Sequence, residues 1–280
     1  MAPRQIRLEV EEGVATLTLD RPQARNALSP TMRQELDESL VQLKAQAGRE
    51  VRALVITGAG GHFCAGGDIK AQHARAATGG GTSMDARARL REAHNRLMDL
   101  ANLEVPVVVA VDGAAAGAGF SLALTGDIIL ASDRAYFVQS FGRLGLVPDW
   151  NSLFLLPRLV GLQRAKELVF TARRVGAQEA QRIGLVHSVH ASQHLMGAAQ
   201  RLARRLAHAS PAAIALSKNI LNQSLHLDNR VVLELEAMAQ AVARDSAFHR
   251  DAVQRFVDKA PPLYDWEALE AQDAAGEAAP

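Results

Sequence analysis

Residues 105–124 read VPVVVAVDGAAAGAGFSLAL. The first half is apolar without alternation. That predicts a strand covered on both faces, with Pro106 confined to its start because proline has no N–H to give a ladder. The second half is a turn of small residues that predicts a short helix after Gly117. Gly117 and Gly119 stand where glycine is normally avoided, since it loses the most freedom on being ordered. A second strand signal, RALVITG (52–58), runs in the same way into GAGGHFCAGGD (58–68). Small residues in both turns let a ligand lie against the main chain, where the unpaired N–H groups of a helix start would face it. A phosphate would call for a lysine inside the loop, as in GxxxxGK[ST], or for GxGxxG after the first strand, and neither is present. One N–H from each turn, meeting on a single carbonyl oxygen, fits the pair better. Close helix packing is the other reading of the glycines.

Outward from these turns, IRLEV (6–10) and the alternating VATLTL (14–19) predict a β-hairpin. Ser29 and Pro30 predict a helix start, with Met32, Leu36, Leu40 and Leu43 as its buried face and Gly48 as its end. Residues 74–85, ARAATGGGTSMD, are too small and polar to pack and read as a mobile surface loop. A helix is expected near 84–102, strands near 127–131 and 135–139, and a helix after Pro148. Alternating strands and helices give an α/β core over residues 1–190. A helical region follows over 191–265, and the tail 266–280, short of large apolar residues, reads as loose.

Composition narrows the function. The chain has 280 residues, 48% of them apolar, and a formal net charge of +1 with both signs interspersed, so no field is available to hold a polyanion. Aromatics at 4% also argue against a base-stacking surface, and nucleic acid is not an expected partner. The single cysteine, Cys64, rules out an intramolecular disulfide, and its default is a small buried hydrophobe. MAPRQIRLEV lacks the apolar stretch of a secretory signal, and no run approaches roughly 20 apolar residues, so no membrane span and a cytoplasmic location are expected. His187, His190 and His194 cross a strand-to-helix boundary without sharing a face, so no metal is expected.

FCAGGDIK (63–70), AVDGAAAGAGFSLAL (110–124) with DIILAS (127–132), FGRLGLVPDW (141–150) and LVGLQRAKELVFTARRVGAQEAQRIGLVHSV (159–189) resemble successive signatures of the crotonase, or enoyl-CoA hydratase/isomerase, superfamily. RPQARNAL (21–28) resembles its N-terminal motif, so the likeness covers nearly the whole chain. It implies an α/β fold built as a crotonase-like spiral of ββα units, with a C-terminal helical region used in trimerisation. It also implies chemistry through the enolate of an acyl-CoA thioester. By the same resemblance Gly67 and Ala118 supply the two oxyanion-hole N–H groups. Arg25 and Ala27 border the adenine-ribose part of coenzyme A, Asp68 and Ile69 line its path, and Phe256 and Lys259 reach it from a neighbouring subunit. Lys259 reads equally well as a solvated lysine at a helix end. The implied assembly is a homotrimer or a dimer of trimers. Coenzyme A is part of the substrate, and no further cofactor is expected.

The acid and base groups decide the reaction. The hydratases of this family use two glutamates, and the matching positions here hold Ser121 and Phe141; no Glu occurs from Val105 to Lys166. Asp112, Asp127 and Asp133 have ordinary turn or strand-end readings. Asp149 stands in LGLVPDWNSLF with almost no polar company, where an isolated carboxylate is costly to bury ionised. It reads as a catalytic base or as the N-cap of the next helix. GLVPDW resembles the subgroup typified by 1,2-epoxyphenylacetyl-CoA isomerase, in which an Asp at this point moves protons. One carboxylate that takes a proton from one carbon and returns it to another performs isomerisation without a second acid. A hydratase with atypical acid and base groups is the alternative. A dehalogenase-like reading would use Asp149 as nucleophile with His94, but it lacks the tryptophan expected at Phe141, and His94 also reads as an ordinary helix residue. Ser121 as a hydrolase nucleophile with His94 lacks the GxSxG elbow.

Overall fold

The computed structural model describes residues 3–77, 79 and 81–278. The hairpin forms from β1 (Ile6–Glu11) and β2 (Val14–Leu19), and α1 (Pro30–Gln46) follows. Ser29 Oγ accepts from Met32 N and Pro30 opens the first turn, so the start read from Ser-Pro is the one formed. Then come β3 (Ala53–Gly58), α2 (Ile69–Ala77) and α3 (Ser83–Ala101). The segment read as a loop over 74–85 is therefore mostly helical. A capping box, in which Thr82 Oγ1 takes Asp85 N and Asp85 takes Thr82 N, starts α3 earlier than its apolar periodicity shows. Residues 78 and 80 of that segment lie outside the described residues.

β4 (Val107–Val111), β5 (Ala114–Ala116), α4 (Ala118–Ala123), β6 (Ile128–Ser132) and β7 (Tyr136–Val138) complete the region around the second turn. After α5 (Ser152–Val160), α6 (Leu162–Thr171), β8 (Val175–Gly176), α7 (Ala177–Arg182) and β9 (Ser188–His190), the chain is helical: α8 (Leu195–Ala207), α9 (Pro211–Ser224), α10 (Asn229–Arg244), α11 (Ala247–Val257) and α12 (Trp266–Ala278).

Two sheets result, a six-stranded one in the order β1-β2-β3-β4-β6-β9 and a three-stranded one in the order β5-β7-β8. From β2 to β9 every neighbouring pair in the larger sheet is parallel. Its period-2 alternation divides the core into two layers. Leu17, Leu19, Leu54, Ile56, Val107 and Val109 face α1 and α3, whereas Val14, Val55, Val108, Ala110 and Leu130 face Leu195, Ala199, Leu202 and Ala203 of α8. Apolar side chains are needed on both faces, so the run 107–111 shows no alternation in sequence.

α9 is tied to this body by Lys218, whose Nζ donates to Val105 O at 3.0 Å and to Asp127 Oδ2 at 2.7 Å. Neither α10 nor α11 has a buried residue, and Leu233, Met238, Val242, Phe256 and Val257 are exposed. The tail read as loose is instead α12. It packs on α8 through Arg205, which pairs with Glu270 at 2.9 Å and lies 4.7 Å from the centre of the Trp266 ring. The signal for this contact was Trp266, the first residue of that tail.

Candidate active site

The two glycine-rich turns are neighbours. Cys64 N donates to Ala114 O at 2.8 Å and Ala116 N to Cys64 O at 2.9 Å, so the segments run side by side as a short parallel bridge. Beyond it, a Cβ on Gly66 would lie 2.6 Å from Ala116 O and 3.5 Å from Ala118 N, so only glycine lets the first turn come this close. Gly117 takes φ 51° and ψ −122°, and a Cβ on Gly119 would fall 2.4–2.8 Å from the carbonyl and thiol of Cys64. Both readings of these glycines therefore hold locally: they are required by packing and conformation, and they bring bare backbone to the start of α4. Among the described residues neither Gly67 N nor Ala118 N donates a hydrogen bond within the protein. Ala118 is 6% exposed and Gly67 is half-buried.

The RNAL segment supports the first turn from behind. Ala65 N donates to Arg25 O at 2.9 Å and Leu28 N to Gly66 O at 2.8 Å. Asn26, fully buried in a left-handed conformation, takes Arg21 N on Oδ1 and donates through Nδ2 to Ala59 O and His62 O. Arg25 is exposed and Ala27 half-buried beside this turn. Asp68 is committed locally, since it caps α2 by accepting from Ala71 N at 3.1 Å and pairs with Arg21 at 2.7 Å. These bonds, the α2 cap first, hold its carboxyl below the ordinary range. Ile69 is exposed at the head of α2. Phe256 and Lys259 are exposed at the C-terminal end of α11, and among the described residues neither hydrogen-bonds to the two turns.

Asp149 does not act as a helix cap. The N-cap of α5 is Asn151, with no side-chain bond, and Trp150 and Asn151 are consecutive left-handed residues at φ 55° and 61°. That conformation costs about 1–2 kcal/mol per residue, less for Asn. Burial of the Trp150 ring, 1% exposed, helps to hold it. The Asp149 carboxyl is half-buried, and its Oδ1 is fully buried without a hydrogen-bond partner. Burial pushes it above the usual carboxylate range, against the opposing positive charge of His94 and then Arg33.

Ser121 does not have the setting of a nucleophile. It is fully buried and its Oγ donates to the main-chain oxygen of Asp149 at 3.0 Å, so its hydroxyl is not turned to His94 as a nucleophile's would be. Phe141 occupies the place of the second glutamate and packs 3.8 Å from the Cβ position of Gly117. Cys64 is buried behind the first turn, and burial pushes its thiol up to about 12, so it is inert as a nucleophile.

Arg33 is the residue that the sequence did not reveal. Its guanidinium lies 3.8 Å from the Cβ position of Gly67 and 5.7 Å from the Trp150 ring centre, between the Gly67 turn and the Asp149 turn. In sequence it is only a charged neighbour of Met32 on the flank of the buried stripe of α1. A separate 410 Å³ cleft, lined by Arg7, Thr16, Thr57, Gln200 and Arg204 among others, reaches Gly58 and Ala59 at the start of the first turn but not Gly67, Ala118 or Asp149. No group of three or more potential metal ligands occurs among the described residues, and no helix there is long and apolar enough to cross a membrane.

Residues 9–267 match the family model described as Enoyl-CoA hydratase/isomerase. The chain is similar to the "Probable enoyl-CoA hydratase" of Rhodobacter capsulatus, at 38% identity over 94% of this chain and 99% of the other. It is also similar to the 1,2-epoxyphenylacetyl-CoA isomerase of Escherichia coli K12, at 37% identity over 91% and 96%. The crystal structure of an enoyl-CoA hydratase/isomerase from Cupriavidus metallidurans CH34 superposes with a TM-score of 0.87 at 39% identity, covering 94% of this chain and 97% of that one.

Proposed function

Since the chain belongs to the enoyl-CoA hydratase/isomerase family of acyl-CoA enzymes, we propose that it is an isomerase, moving a proton and a double bond through a thioester enolate. The observation that carries this reading is Asp149: a half-buried carboxyl with one unpartnered buried oxygen, in a segment that holds no glutamate. The thioester oxygen takes the free N–H groups of Gly67 and Ala118. As a C–H bond next to the carbonyl, or vinylogous to it, breaks, its electron pair passes to that oxygen and the proton to Asp149. Return of the same proton to another carbon completes the shift and regenerates the carboxylate. A raised carboxyl suits this exchange, because it makes the carboxylate a stronger base than a solvated Asp. Each N–H donor is worth about 2.7–4 kcal/mol to the transition state.

In this proposal Arg25, Ala27, Asp68 and Ile69 line the path of coenzyme A, with Phe256 and Lys259 reaching it from a neighbouring subunit. The exposure of the last two, and of the apolar residues of α10 and α11, supports a homotrimer or dimer of trimers. No cofactor beyond the coenzyme A of the substrate enters the scheme. The lone buried cysteine suits a cytoplasmic setting.

The test is to incubate 2-enoyl- and 3-enoyl-CoA thioesters with the protein in D₂O and follow mass and double-bond position. Isomerisation moves the double bond without adding water, and Asp149→Asn should lower it by about a hundredfold or more while coenzyme A still binds. Addition of water as the sole reaction, or full activity in Asp149→Asn, would overturn the reading.

A further inference from the structure

We propose that Ser121, which stands where the hydratases carry a glutamate, is a positioning residue that fixes Asp149 against the oxyanion helix α4. Three donors converge on the carbonyl oxygen of Asp149: Ser121 Oγ at 3.0 Å, Ser152 Oγ at 3.0 Å and Ser152 N at 3.3 Å. The last two belong to the first turn of α5 and move with it. Ser121 alone of the three comes from α4, whose first residue, Ala118, is one of the proposed oxyanion donors.

A serine inside a helix usually turns its hydroxyl back on the carbonyl four residues earlier. Here that contact, to Gly117 O, is the longer one at 3.3 Å, and the shorter bond leaves the helix for Asp149. Both serines are at most 1% exposed, so water does not compete for the bonds. Upstream of Asp149 the chain from Gly142 to Val147 is exposed, and its side-chain anchor, Arg143 donating to Ala172 O, lies at the end of α6 rather than on α4. Downstream, the buried Trp150 and then Asn151 hold left-handed backbone before α5 begins. The Ser121 bond thus connects the distance between oxyanion and base directly to α4. Positioning of this kind acts on the chemical step, where a displacement near 1 Å costs about a hundredfold.

This inference rests on Asp149 being the base, and the experiment separates the two. Steady-state isomerisation and deuterium exchange are measured for wild type, Ser121→Ala, Ser121→Thr, Ser152→Ala and Asp149→Asn. Ser121→Ala should lower kcat by about ten- to a hundredfold with KM for the thioester within about twofold. Ser121→Thr, which keeps the hydroxyl, should recover most of the rate, and Ser152→Ala should lose less than Ser121→Ala. If Ser121→Ala does not fold, the near-isosteric Ser121→Cys, a weak donor, should show the same separation of kcat from KM. An unchanged kcat in Ser121→Ala, or an equal loss in Ser152→Ala, overturns the positioning role. Full activity in Asp149→Asn overturns the underlying reading instead.

Discussion

Two aspartates in this molecule, Asp149 half-buried and Asp127 with a side chain 28% exposed, meet the same physical problem, loss of solvation, and solve it differently. Asp127, where β6 begins, is pushed above the usual carboxylate range by burial, as is Asp149 in the turn before α5. Asp127 is answered: its Oδ2 receives Val107 N at 2.7 Å and Lys218 Nζ at 2.7 Å, and Lys218 spends a further hydrogen on Val105 O. Burial lowers Lys218 in turn, so desolvation outweighs the pairing on both partners. Asp149 has the positive charges of His94 and Arg33 and a bond from its own main-chain N–H, but its Oδ1 has no donor. The first arrangement joins α9 to the sheet. The second leaves acceptor capacity inside the protein, as the proposed base requires.

The contrast can be broken most forcefully at Asp127. Asp127→Ala leaves the Lys218 ammonium buried without its carboxylate and should destabilise the fold by about 3–5 kcal/mol in urea unfolding. Asp127→Leu combined with Lys218→Met should recover most of that loss; if the double variant is no better than the single one, the pair is not the source of the cost.

Asp149 should respond in the opposite direction. Replacing an unanswered carboxyl by Asn should stabilise the protein by about 0.5–2 kcal/mol near neutral pH, while activity is lost. The sign follows from linkage. A carboxyl raised above its ordinary value favours the folded state while protonated and costs stability as pH rises from that ordinary value through the raised one. The melting-temperature gain of Asp149→Asn should therefore shrink in acid and grow as pH rises; a gap of constant size would show that the carboxyl's titration is not involved.

The smallest effect is expected at Arg33. Arg33→Met removes a positive charge that opposes the rise at Asp149, so the acid limb of the rate profile should move to higher pH, with a few-fold to about tenfold loss of rate on that limb. Arg33→Lys should do less. An unmoved acid limb would separate Arg33 from the base.

Much of the fold was legible because periodicity reports burial. The run 107–111, the Ser29–Pro30 helix start and the face of Met32, Leu36, Leu40 and Leu43 appear where the pattern puts them. The failures have a common cause. Residues 74–77 and 266–278 are helical although small and polar, since helix formation there draws on capping and on single contacts such as Arg205 with Trp266, which periodicity does not record. At the site, the glycines of both turns announced a close backbone approach. Nothing in FGRLGLVPDW announced that Asn151 would be the cap and Asp149 would be left without one.

The amino-acid order alone determined the longer strands of the larger sheet, though not β5 or β8, that two glycine turns open helices, and that the glutamates of a two-acid site are absent, because each of these is written in neighbouring residues. Only the tertiary structure decided that the Ser121 hydroxyl reaches the Asp149 carbonyl, that Arg33 stands between the Gly67 turn and Trp150, and that one aspartate is paired while another is not. These relations join residues up to 117 positions apart, the separation of Arg33 from Trp150, and local pattern has no term for contacts that exist only once the chain has closed on itself.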